Sequence, residues 1–182
     1  MTRSGPDTGG LVVRDATPDD GAACAALYRP YVTDTAITFE TRPPTSAEMA
    51  ERIAEALRTH AWLVCEADGQ VVGYAYAGQF SARDAYRWAC EVSVYGQWGR
   101  RRTGIGRALY TPLLGRLTDR GFRLAVARLT LPNEASLALH EAFGFRPVGV
   151  HVGIGYKLGA WHDVALSQRI LRADPGTPPE PV

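Results

Sequence analysis

The chain has 182 residues, a length that fits one domain, with 46% hydrophobic and 21% charged residues, which excludes disordered, collagenous and fibrous classes. Against 19 Asp and Glu side chains stand 20 Lys and Arg, a formal net charge of +1, so no global basic field exists to hold nucleic acid or an anionic membrane. No apolar run approaches the ~20 residues that cross a bilayer, and the residues after Met1 are polar, unlike a signal-peptide core.

Residues 1–10 lack periodicity and read as a disordered N-terminus. Residues 174–182, Asp-Pro-Gly-Thr-Pro-Pro-Glu-Pro-Val, read as a flexible Pro-rich tail, which leaves 11–173 as the folded domain. A short strand at Leu11–Arg14 comes first. Thr17-Pro18 with Asp19 and Asp20 then opens a helix that Pro30 should stop. A second helix begins at Thr45, with Glu48 three residues on as a capping box, and runs to about Leu57. Strands at Trp62–Glu66 and Val71–Ala77 flank Asp68-Gly69, a hairpin signal. The next strand is Arg87–Tyr95. A long helix follows from about Thr103 to Arg120, ended by Gly121. A buried strand at Leu124–Leu129, a short helix at Asn133–Ala142, and strands at Phe145–Val152 and Trp161–Leu171 complete a mixed α/β single domain. Cys24, Cys65 and Cys90 are odd in number and set in apolar stretches. They read as buried thiols in a reducing cytoplasm. The four histidines share no ligand spacing with them, which argues against a metal site.

Two features carry chemistry. In Trp88–Tyr95, the strand period of two puts Glu91, Ser93 and Tyr95 on one face and Cys90, Val92 and Val94 on the other. Two readings of Glu91 stay open: a carboxylate on a solvated face or paired with an arginine, or a general base with a raised pKa lining a cleft. The second feature is Arg101-Arg102-Thr103-Gly104-Ile105-Gly106-Arg107, between that strand and the long helix. Glycines that permit close backbone approach, unpaired helix N–H groups and several arginines together suit a phosphate. It is neither a Walker motif nor a full dinucleotide fingerprint.

Strand, Arg101-x-x-Gly104-x-Gly106 and long helix, followed by strand, Leu131-Pro132-Asn133, helix and Gly144-Phe145, resemble the GCN5-related N-acetyltransferase (GNAT) superfamily. Trp62-Leu63-Val64, Ala75-Tyr76-Ala77-Gly78, Ala82-Arg83-x-Ala85-Tyr86, His140-Glu141-Ala142 and Trp161-His162-Asp163-Val164 are similar to its phosphinothricin acetyltransferase group. Agreement runs from about Val13 to Gln168. The resemblance implies the GNAT fold, a central mixed and mostly antiparallel twisted sheet flanked by helices. It also implies acetyl-CoA as co-substrate, no metal, and a homodimer with residues near Val164 approaching the partner's pocket.

Further implications concern single residues. Amides of Val94, Tyr95 and Gly96 would pair with the pantetheine arm. Those of Arg101, Arg102, Thr103, Gly104, Ile105, Gly106 and Arg107 would hold the pyrophosphate, with Asn133 near the thioester or simply capping its helix. Glu91 becomes the base, directly or through a water, for an amine that attacks the thioester. His140 is the acid for the departing thiolate, a positioning group, or an ordinary core histidine. His162 reads as structural, with Asp163 as its local partner. Phe39, Phe80, Ser81, Arg83, Tyr86, Thr130 and Val164 would line the acceptor pocket. Ser81 stands where the group typically has lysine and Thr130 where it has glycine. Methionine sulfone or sulfoximine therefore fits as well as phosphinothricin, with a resistance role against such analogues. A peptide or protein N-terminal acetyltransferase, or a non-catalytic acyl-CoA sensor, is the alternative.

Overall fold

The computed structural model describes residues 10–99, 103–173, 176 and 181. Residues assigned to the N-terminus and tail therefore lie largely outside it, as do Arg101 and Arg102. Seven strands form one sheet: β1 (Val12–Asp15), β2 (Ala61–Ala67), β3 (Gln70–Gln79), β4 (Ala89–Gly96), β5 (Leu124–Thr130), β6 (Arg146–Lys157) and β7 (Ala160–Ile170). Their order is β1-β2-β3-β4-β5-β7-β6, antiparallel throughout except for the parallel pair β4 and β5. Four helices cover the sheet: α1 (Gly21–Asp34), α2 (Ser46–Thr59), α3 (Ile105–Asp119) and α4 (Glu134–Ala142).

Strand alternation decides the two cores. In β2, Leu63 and Cys65 point toward α3, where Leu109, Leu113 and Leu117 are fully buried. Trp62 and Val64 point the other way, toward Cys24, Tyr28, Met49 and Ile53 of α1 and α2. The Thr45–Glu48 capping box forms, with Glu48 accepting from the Thr45 N–H at 2.7 Å. Asp68 and Gly69 take positive φ of 52° and 73° in the tight turn joining β2 to β3.

Four local expectations are corrected. Pro18–Asp20 forms a 3₁₀ turn before α1, with Thr17 as its N-cap, and Pro30 lies inside α1 instead of ending it. Proline forfeits one intrahelical bond, but Val32 is buried and the Tyr31 hydroxyl donates to the Gly96 carbonyl at 2.7 Å, so tertiary contacts hold the last turn. Arg87 lies outside the fourth strand, because Asp84–Tyr86 forms a 3₁₀ turn and β4 starts at Ala89. β6 continues to Lys157. Gly153, at φ 57°, lets the strand absorb the register shift between His151 and Gly155, and the pairing with β7 resumes.

Candidate active site

The pairing of β4 with β5 covers only Ala89–Glu91 against Leu124–Val126; beyond that β4 runs on to Gly96 with no strand partner on that side among the described residues. The strands part at Glu91. Backbone groups of a strand alternate sides, and two bonds set the parity here. The Trp88 carbonyl faces β5, accepting from the Arg123 and Leu124 N–H groups at 2.8 and 3.2 Å, while the Gln97 N–H donates to the Val72 carbonyl of β3 at 2.8 Å. Even-numbered Val92, Val94 and Gly96 therefore present backbone groups to the gap. Tyr95, expected to join Val94 and Gly96 there, has its amide turned to β3. Its ring is packed on Tyr28, Tyr31 and Tyr74.

At the end of this gap stands the N-terminus of α3. Gly104 adopts a left-handed φ of 80° and carries no side-chain cap. The Ala108 N–H donates to the Gly104 carbonyl at 2.9 Å, which places Ile105, Gly106 and Arg107 in the first turn, where an α-helix offers their N–H groups no acceptor of its own. Thr103 and Arg107 are exposed, whereas the Ile105 side chain is in the core. Gly106 lets α4 come close: a Cβ there would lie 2.9 Å from Leu139 Cδ2.

Glu91 sits opposite Gly78 on the face shared with Tyr76, Ser93 and Val126. The arginine-paired reading of this carboxylate is the one observed. Arg128 donates from Nε to Glu91 Oε1 at 2.7 Å and from Nη2 to Oε2, and the two side chains are 55% and 22% exposed. Carboxylate contact raises the pKa of the Arg128 guanidinium, with burial opposing. Sequence reading placed Arg128 in a buried strand and missed this role. The one available signal was a lone arginine in an otherwise apolar run.

A cleft of about 930 Å³ opens on this face between α2 and the end of β3, with Arg52, His60, Trp62, Tyr76 and Gly78 among its lining. Arg52 is paired with Glu40 at 2.7 and 3.0 Å, and Tyr28 donates to the same carboxylate at 3.2 Å. The segment before α2 brings Phe39 over Gly155 of β6, while Lys157 Nζ donates to the Thr38 carbonyl at 2.7 Å. Phe80 and Tyr86 meet edge to face with ring centroids 5.5 Å apart, both exposed, beside exposed Arg83 and half-buried Ser81. Thr130 pairs with Val164 across β5 and β7, and both are buried within the subunit. Val164 is 7% exposed in this chain.

Asn133 caps α4, its Oδ1 accepting from the Ser136 N–H at 3.2 Å. His140 is 2% exposed and its two ring nitrogens are both engaged, Nδ1 with the Ser136 carbonyl at 2.7 Å and Nε2 with the Tyr110 hydroxyl at 2.8 Å. His162 finds the Lys157 carbonyl at 3.0 Å and not Asp163, whose Oδ1 accepts from the Gly153 N–H at 2.7 Å. Cys24, Cys65 and Cys90 are free and buried, and desolvation pushes the Cys24 and Cys90 thiols up to about 12.

Comparison with known proteins accords with this geometry. A family model described as an acetyltransferase (GNAT) domain matches residues 13–166. A phosphinothricin N-acetyltransferase of Streptomyces viridochromogenes is 38% identical over 177 residues, 97% of this chain and 96% of its own length. An L-methionine sulfoximine/L-methionine sulfone acetyltransferase of Salmonella typhimurium is 31% identical over 159 residues, 87% of this chain and 93% of its own. The crystal structure of a phosphinothricin acetyltransferase from Sinorhizobium meliloti in complex with AcCoA superposes with a TM-score of 0.89 at 38% identity, covering 93% of this chain and 94% of that one. On sequence and on fold, this chain belongs to the GNAT acetyltransferase family.

Proposed function

We propose that the chain transfers acetyl from acetyl-CoA to the primary amine of a small amino-acid-like molecule of the phosphinothricin, methionine sulfone or methionine sulfoximine type. The observation that carries this reading is the parting of β4 from β5 at Glu91, which opens a slot toward α3 beside the acceptor face. The residues fit the co-substrate. Val94 and Gly96 offer edge groups to an amide-bearing arm, although the Gly96 carbonyl also accepts from Tyr31. Thr103, Gly104, Ile105, Gly106 and Arg107 form a helix start suited to a pyrophosphate.

Bound acetyl-CoA supplies the acetyl group as a thioester. Near neutral pH most aliphatic amines are protonated and carry no free lone pair. Glu91 would take that proton; the freed amine then forms the new nitrogen–carbon bond as the carbon–sulfur bond breaks, and the surplus nitrogen proton passes to the departing thiolate. The Val94 N–H, facing the slot, is the candidate donor to the carbonyl oxygen as charge builds on it. His140 is assigned a positioning role: with both nitrogens engaged in the core, it fastens α4 to α3 and thereby sets Asn133. Phe39, Phe80, Ser81, Arg83 and Tyr86 border the acceptor side, with Thr130 and Val164 as its buried floor.

Acetylation turns an ammonium into a neutral amide, which is the chemical basis for a resistance role. We further assign a cytoplasmic location, supported by three free, buried cysteines. A homodimer is supported by the exposed apolar row of β6 and β7, where Val152 is 81% and Trp161 68% exposed. Thiol release from acetyl-CoA, followed across phosphinothricin, L-methionine sulfone, L-methionine sulfoximine and an unblocked peptide, tests the activity. Release with the small amino acids is expected. Release with the peptide alone, or with none of the four, overturns the reading.

A further inference from the structure

Glu91 is not free in this structure. Arg128 holds both of its oxygens, and the pair lies where β4 and β5 separate, since Glu91 is the last β4 residue in register with β5 and Arg128 stands two residues beyond its partner Val126. An amine that is to reach the carboxylate must displace or share that guanidinium. We propose that Arg128 is the specificity residue for the acceptor's carboxylate, and that a zwitterionic α-amino acid inserts into the Arg128–Glu91 pair with its carboxylate on Arg128 and its ammonium on Glu91.

Three observations carry this. The first is charge. A cation and an anion held side by side are the complement of an α-amino acid head group, and the exchange leaves neither protein charge unpaired. An amine without a carboxylate satisfies Glu91 only by stripping Arg128 of its partner. The second is accessibility. The Arg128 and Glu91 side chains are 55% and 22% exposed, so solvent screens the pair and weakens it as a competitor. Arginine's planar fork also accepts either carboxylate in the same bidentate geometry. The third is the state of the neighbouring cations. Arg52 is engaged by Glu40 and Lys157 by the Thr38 carbonyl, and both bind wall elements to each other, which leaves exposed Arg83 on the Phe80–Tyr86 rim as the cation to be tested against Arg128. Position 81 is a serine and supplies no charge. Arg128 thus acts as a gate: it occupies the base until a carboxylate arrives to take it away.

The inference rests on the acetyltransferase reading, and the experiment separates the two. Wild type, Arg128→Gln, Arg128→Lys and Arg83→Gln are compared with L-methionine sulfone and its methyl ester, which keeps the amine and masks the carboxylate. Thiol release gives kcat/KM, and the acceptor-induced rise in melting temperature reads binding without turnover. Wild type is expected to prefer the acid. Arg128→Gln should lower kcat/KM for the acid by about tenfold to a hundredfold, chiefly through KM, because a charge-assisted contact is lost. Its ester activity should hold or rise, since Glu91 is released, so the acid-to-ester ratio collapses. Arg128→Lys should restore part of that ratio. Acid and ester falling together in Arg128→Gln, or a ratio that collapses in Arg83→Gln while Arg128→Gln keeps it, overturns the proposal. Absence of thiol release from wild type with any small amine overturns the acetyl-transfer reading alone; a thermal rise with the acid that Arg128→Gln abolishes still supports the inserted zwitterion.

Discussion

The Tyr110 hydroxyl and His140 Nε2 lie 2.8 Å apart between α3 and α4, with both residues buried. Because His140 Nδ1 faces the Ser136 carbonyl, which only accepts, that nitrogen carries the proton and Nε2 accepts from Tyr110. Tyr110→Phe removes the donor and leaves a buried ring nitrogen unsatisfied. A loss of about 1–3 kcal/mol in denaturant-melt stability is expected, with turnover per folded molecule little changed. A large drop in turnover at unchanged stability would return His140 to the chemistry.

Burial lowers the His140 pKa below its ordinary 6.5, and His60 is lowered for the same first cause. As pH falls through about 6.5 the unfolded chain takes up these protons before the folded one does. The histidine-dependent stability is therefore whole above that pH and is lost below it, down to the folded-state pKa. Urea midpoints measured from pH 7.5 to 5.5 should fall in wild type and fall less in His140→Gln. An equal or steeper fall in the variant contradicts the assignment.

Glu91→Gln keeps the shape and hydrogen-bonding reach of the side chain but cannot accept the ammonium proton. Turnover by thiol release should fall by about 10²–10⁴. The lost ion pair is partly exposed, so stability should change by no more than about 1 kcal/mol. A folded variant with wild-type turnover at neutral pH ends the case for Glu91 as base.

Phe39 holds its place because Gly155 has no side chain: a Cβ at 155 would lie 2.0 Å from Phe39 Cε2. Gly155→Ala must push the half-exposed ring off β6. The acceptor KM should rise several-fold, while the acetyl-CoA KM and the melting temperature stay near wild type. If both KM values move together, Phe39 is not part of an acceptor wall.

Val148, Val150, Val152, Ile154, Tyr156 and Trp161 are all exposed on the β6–β7 hairpin at the sheet edge. An uncovered apolar row of this kind on an edge strand is the surface that the proposed dimer would bury. Light scattering at micromolar concentration should show a dimer, and Val152→Asp with Ile154→Asp should give a monomer. A monomeric wild type removes this part of the assembly.

Much of the molecule was legible because its determinants are local. Thr45 reaches Glu48 three residues away, Asp68-Gly69 closes its own hairpin, and strand alternation put Glu91 and Val92 on opposite faces without any knowledge of neighbours. The glycine-bearing start of α3 was readable for the same reason. What tertiary structure decided is who stands opposite whom. Pro30 was read as a stop because the contacts that carry α1 past it come from Gly96 and Tyr95, far along the chain. Tyr95 could not be told from Val94 as an edge donor until the β3 register assigned its amide. Arg128 meets Glu91 across 37 residues and an intervening helix. That encounter depends on a parallel register and on where β4 and β5 part, and both follow from packing α3 under the sheet, not from any pattern within either strand.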